Sequence, residues 1–132
     1  MAYILKDQSE IEHVEWGSLR WISNPININA QQLTTIEVVI NKGQGHKFHF
    51  HPNQEEIIYV LSGKIEQWVE KECKILSEGD SCFIQRGTVH ASFAIGDEPA
   101  TLFVVLGPCA NNEMGYEMQE VHEQEPWKNL RT

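Results

Sequence analysis

Turn residues break this chain at short intervals. Asn24-Pro25, Asn41-Lys42-Gly43, Ser62-Gly63, Glu78-Gly79-Asp80, Arg86-Gly87, Gly96-Asp97-Glu98-Pro99 and Gly107-Pro108 leave only short runs between them. Those runs are rich in β-branched and aromatic residues: "LTTIEVVI" (33–40), "EIIYVLSG" (56–63), "KIEQWVE" (64–70), "SCFIQ" (81–85), "HASFAI" (90–95) and "ATLFVVLG" (100–107). Many short strands separated by turns predict an all-β sandwich or barrel. "KIEQWVE" alternates, with Ile65, Gln67 and Val69 on one side, as a half-buried strand does. "LTTIEVVI" and "ATLFVVLG" are more continuously apolar, which predicts cover on both faces. No long helix is expected. The best helical candidate is "EPWKNLRT", with Pro126 at a first helical position. Residues 1–29 and 109–132 are less regular and are expected to wrap the barrel or pack on a partner subunit.

One segment carries more than a strand requires. "HFHPNQEEIIYVLSG" begins at residue 49. Side chains alternate along a strand, so His49 and His51 point to one side and Phe48 and Phe50 to the other. Pro52 and Asn53 turn the chain, and a returning strand brings a carboxylate back past the two histidines. If Ile58 and Val60 line the interior, Glu56 joins them, and Glu55 falls outside with Ile57 and Tyr59. His90, after the Gly87 turn, begins another strand and is a further candidate. Imidazoles with one carboxylate suit iron, manganese, nickel, copper or zinc rather than calcium or magnesium. Without a metal, such a buried set needs a complete hydrogen-bond network, because unpaired buried polar groups are costly.

The other polar residues have blander readings. His46 is off the parity of His49 and His51 and is expected in solvent at the strand start. His13 and His122 read as surface residues. Glu55 reads as a rim carboxylate, and as the candidate catalytic base or the group that orients a histidine. Tyr59 and Trp68 read as core or interface aromatics. Arg86 reads as an exposed turn arginine, its alternative being a clamp on a substrate carboxylate.

Size and charge narrow the function classes. A length of 132 residues suits one domain. The net charge of −9 argues against nucleic acid and anionic membranes as partners. No apolar run approaches the ~20 residues of a membrane span, and the N-terminus lacks the pattern of a secretory leader. Cys73, Cys82 and Cys109 are odd in number and widely spaced, and read as free thiols in a reducing, cytoplasmic setting.

These residues also carry a family resemblance. The sequence resembles a cupin, whose first motif reads G-x5-H-x-H-x3-4-E-x6-G. Gly43, His49, His51, Glu56 and Gly63 fill every fixed position. The second motif reads G-x5-P-x-G-x2-H-x3-N. Gly79, Gly87 and His90 match it, while Gln85 replaces the proline and Ala94 the asparagine. The resemblance covers roughly residues 17–107 and implies a double-stranded β-helix (jelly-roll) barrel. It implies one divalent metal held by His49, His51, Glu56 and His90, with open positions for a small-molecule substrate. Iron would imply dioxygenation of a small chelating molecule. Zinc, manganese or nickel would imply Lewis-acid isomerisation, cyclisation or elimination. The alternative is a non-catalytic module that binds a sugar or other small effector. Small cupins commonly dimerise, so a homodimer is expected.

Overall fold

The computed structural model describes residues 2–111 and 113–131. Strands β1 (Glu10–Val14), β2 (Gly17–Ser23), β3 (Thr34–Ile40), β4 (Gly45–Phe50), β5 (Glu55–Ser62), β6 (Lys64–Val69), β7 (Glu72–Ser77), β8 (Ser81–Ile84), β9 (His90–Ile95), β10 (Ala100–Gly107) and β11 (Gln119–Glu120) form two antiparallel sheets. One sheet runs β1-β2-β3-β10-β5-β8, the other β11-β4-β9-β6-β7. From β3 to β6 each strand lies in the other sheet from its predecessor, and so does each from β7 to β10. The chain thus winds a double-stranded β-helix, as the resemblance implies. Gly63 is the single residue between β5 and β6, at φ +80, and a Cβ there would lie 2.6 Å from the Pro99 carbonyl oxygen. Only glycine combines that backbone with that approach.

The main core lies between the sheets. Ile36, Ile40, Val60, Ile65, Ile84 and Leu106 are fully buried there. A second apolar cluster, Phe48, Ala91, Phe93 and Val121, lies against the outer face of β4 and β9. The C-terminal segment covers it, with Trp127 stacked on Phe48 at 5.6 Å between ring centroids. Val121 of this segment belongs to that cluster, and Trp127 and Leu130 pack on it. The N-terminal strands β1 and β2 instead extend the six-stranded sheet.

Two local expectations change. β3 and β10 are buried on alternate residues only, and Thr35, Glu37 and Val39 are half-buried. Their apolar runs reflect β-branched residues suited to a pleated surface, not a second covering layer. "EPWKNLRT" makes a single 3₁₀ turn, Trp127–Asn129, preceded by Pro126. The described residues hold one short α-helix, α1 (Pro25–Ile28). It grows from the Asn24-Pro25 turn signal: Asn24 Oδ1 accepts from the Ile26 and Asn27 amides at 2.9 Å, and the Asn24 amide donates in return to Asn27 Oδ1 at 2.8 Å. No helix among the described residues is long and apolar enough to cross a membrane.

Candidate metal centre

Four residues from three strands and one turn meet inside the barrel. His49 is on β4 and His51 directly follows that strand, both in the five-stranded sheet region. His90 opens β9 and is the register partner of His49. Glu56 comes from the opposite sheet, on β5 between Leu106 of β10 and Ile84 of β8. All four are buried, at 3%, 2%, 1% and 6% exposure for His49, His51, His90 and Glu56. One ring nitrogen from each histidine falls within a common span of 4.8 Å.

Each imidazole is oriented from behind. His49 Nδ1 is 2.6 Å from the Lys47 carbonyl oxygen, His51 Nδ1 is 2.9 Å from that of Glu117, and His90 Nδ1 is 2.9 Å from that of Thr88. A carbonyl only accepts, so each Nδ1 carries the proton and donates. Nε2 of a neutral ring is then left with a bare lone pair, as in a metal-ligating histidine. The turn before His90 closes without the family's proline: the Thr88 amide donates to the Gln85 carbonyl at 3.1 Å, and the Gly87 amide to the His51 carbonyl at 2.9 Å.

The inner ends of these groups are close but unsatisfied. Glu56 Oε1 is 3.2 Å from His51 Nε2 and 2.9 Å from His90 Nε2. Yet none of these three buried atoms has a properly aligned hydrogen-bond partner among the described residues. The inner ends of these groups therefore converge on one small volume. Three imidazoles and a carboxylate directed at one point form a donor set that fits a divalent transition metal. The same electrostatics govern protons. Burial alone would push the Glu56 carboxyl up, but His90 and His51 outweigh it and hold Glu56 well below the usual carboxylate range. Burial opposes the charged form of His51, and Glu56 overcomes that and raises its pKa. Burial, then the neighbouring histidines, lowers His49 well below its ordinary value.

The remaining sequence candidates fall elsewhere. Glu55 is exposed on the opposite side of β5, in a surface groove with Phe83, Gln85 and Arg86. Strand alternation puts it on the opposite face of β5 from Glu56. Arg86 is exposed, as its bland reading holds. His46 is a correction. It stacks between Trp16, at 4.8 Å, and His49, at 3.7 Å between ring centroids. Three steps along β4, from His46 to His49, match two along β9, from Ser92 to His90. That extra residue is a β-bulge, and it turns His46 onto the inward side. The residue is half-buried. Burial, then the charge of His90, lowers its pKa to about 3.

Two spaces adjoin the cluster. A chamber of about 30 Å³ is lined by His49, Glu56, His90 and Ser92 with apolar core residues. A cleft of about 680 Å³ lies outside it, walled by Trp16, Trp21, Phe93, Met114 and Met118. Trp16, Leu19, His46 and Tyr116 line both and form the neck between them. Tyr116, absent from the sequence reading, packs edge-on against His51 at 5.0 Å. Burial first, then Glu56, pushes its phenol well above the usual range, so it stays a hydrogen-bond donor.

The comparisons agree with this architecture. The family model for the cupin domain matches residues 36–106. Polyketide synthase CurC of Streptomyces cyaneus is 28% identical over 106 residues, 79% of this chain and 69% of that protein. Tetracenomycin polyketide synthase protein TcmJ of Streptomyces glaucescens is 25% identical over 105 residues, 79% of this chain and 70% of that protein. The solved structure of KdgF from Halomonas sp. superposes with a TM-score of 0.71 at 21% identity, covering 81% of this chain and 94% of that one. With the match to the family model spanning more than half its length and its sheets wound as that family's barrel, this chain belongs to the cupin family.

Proposed function

We propose that this cupin is a metal-dependent enzyme acting on a small, oxygen-rich chelating molecule. The observation that carries the reading is the set of buried, converging atoms His51 Nε2, His90 Nε2 and Glu56 Oε1, which have no hydrogen-bond partner among the described residues. Leaving them so costs on the order of 1–3 kcal/mol each, a cost that a cation at their shared point removes. His49, His51, His90 and Glu56 would hold one iron, manganese, nickel, copper or zinc ion. When bound, it would supply Lewis-acid polarisation of a carbonyl, or oxygen chemistry if it is iron.

The relatives named as polyketide synthase proteins support a substrate with alternating carbonyl oxygens, because a β-dicarbonyl chelates a metal through two oxygens. The cleft has the volume of a small-molecule site and aromatic walls suited to a flat molecule. Trp16 and His46 would bound it at the neck. Tyr116 would donate a hydrogen bond to a substrate oxygen. On this reading the chemistry is cyclisation, isomerisation or elimination, with dioxygenation as the iron variant. A second reading, binding without turnover, is favoured by one observation: none of the four cluster residues lines the large cleft.

We extend the proposal to a homodimer formed through the outer face of β5 and β8. Ile57, Tyr59, Leu61 and Phe83 are exposed there as a contiguous apolar patch, with Ile57 opposite Phe83. Such patches mark association surfaces. The three free cysteines suit a reducing cytoplasm.

The test is metal analysis of protein purified without a histidine tag, beside His49→Ala and Glu56→Ala. About one transition metal per chain, lost in both variants, is expected. The loaded protein is then assayed with β-diketones for oxygen uptake and for cyclised or cleaved products. No metal above background in the parent would overturn the reading. Metal without turnover, with a β-diketone bound and recovered unchanged, would favour the second.

A further inference from the structure

Gln54 lies between His51 and Glu56 in sequence and is 1% exposed. A buried carboxamide is costly unless its donors and acceptor are matched. Gln54 is matched by one segment. Its Nε2 donates to the Pro108 carbonyl and to the Gly115 carbonyl, each at 2.8 Å. Its Oε1 accepts from the Glu117 amide at 3.1 Å. Two carbonyls can only accept and an amide N–H can only donate, so one orientation of the carboxamide satisfies all three.

The segment so held is the one behind the metal cluster. The Glu117 carbonyl is the acceptor for His51 Nδ1–H. Tyr116, one residue earlier, lies edge-on to the His51 ring. Gly115 closes the approach: its φ is +67, and a Cβ there would collide with Thr34 Oγ1. Thr34 Oγ1 also donates to the Gly115 carbonyl at 2.6 Å. His51 follows the end of β4, so its ring has less support from strand neighbours than those of His49 and His90. Their acceptors come from residues two earlier in the chain, whereas that of His51 lies sixty-six residues away.

We propose that Gln54 is a positioning residue for this centre. It ties Pro108, Gly115 and Glu117 to the barrel so that the Glu117 carbonyl fixes the His51 tautomer and turns Nε2 toward Glu56 and His90. The inference rests on the metal-site reading only for its effect on metal binding.

The test uses Gln54→Leu, which keeps the bulk and removes all three bonds, and Thr34→Val, which removes the other tie to Gly115. Nitrogen-15 NMR of the histidine rings reads the tautomers in metal-free protein. In the parent and in Thr34→Val, all three neutral rings should carry the proton on Nδ1. In Gln54→Leu, His51 alone should become a mixture of tautomers. Zinc affinity, measured by competition with a chromophoric chelator, should fall about 10–100-fold in Gln54→Leu and little in Thr34→Val. If Gln54→Leu does not fold, Gln54→Asn, with its shorter reach, takes its place with the same expectation. A single Nδ1–H tautomer for His51 in the folded variant overturns the proposal, as does an unchanged zinc affinity where the parent binds zinc. A parent that binds no zinc overturns the metal-site reading instead, and the tautomer result alone then decides the role of Gln54.

Discussion

Glu56 Oε1 in the six-stranded sheet stands 2.9 Å from His90 Nε2 in the five-stranded sheet. A metal held there links the two halves of the barrel, so it should stabilise the fold by mass action. At about 100 times its Kd the gain is about 2.7 kcal/mol, a rise of several degrees in Tm. Glu56→Gln keeps the shape and removes the charge. Calorimetry with and without excess zinc should show the rise in the parent and a much smaller one in the variant.

Protons and metal compete for the same atoms. The pKa of His51 is raised from 6.5, because Glu56 outweighs the effect of burial. Metal must displace the proton from Nε2, so affinity should weaken as pH falls through that raised value. In Glu56→Gln the cause of the raise is gone, and the onset should move to lower pH. Zinc titrations at pH values from about 6 to about 9 read this. An onset that stays put in the variant would remove Glu56 as the cause.

The metal-free protein should weaken in acid. Burial holds His46 near 3 and His49 well below 6.5, so both take up protons more readily when unfolded. Their contribution is complete above 6.5 and drains as pH falls toward the folded values. His51 works oppositely: its contribution is complete below 6.5 and is lost as pH rises through its raised pKa. Glu56, with its lowered pKa, contributes above about 4.5 and loses that as pH falls. Urea midpoints should therefore drop from pH 6.5 toward pH 4, and His46→Phe, which preserves the ring stack, should flatten the slope.

Association can be tested on the outer face of β5. Tyr59 and Leu61 point away from the core and are exposed. Tyr59→Glu with Leu61→Lys should leave the fold intact and give a monomer by light scattering at micromolar concentration. A parent that is itself monomeric under those conditions would remove the dimer.

Core and surface isoleucines should separate cleanly. Ile65 is 0% exposed between the sheets, whereas Ile75 is 53% exposed on β7. Ile65→Ala should cost about 2–5 kcal/mol in denaturant unfolding, and Ile75→Ala about 0.5 kcal/mol or less.

The sequence by itself determined the all-β barrel, because turn chemistry and strand alternation are local properties. Alternation also sorted Glu56 from Glu55: the two are adjacent, and a strand sends neighbours to opposite faces. It failed at His46, where a bulge inserts one residue and shifts the period between His46 and His49. A bulge is set by pairing with β9, which no window around His46 contains. The roles of Gln54, Tyr116 and the Glu117 carbonyl were equally hidden. Gln54 and Glu117 are 63 residues apart, and nothing in either stretch marks the other. Only the tertiary structure decided that the C-terminal segment folds back behind His51, because that contact joins residues 66 positions apart in the chain.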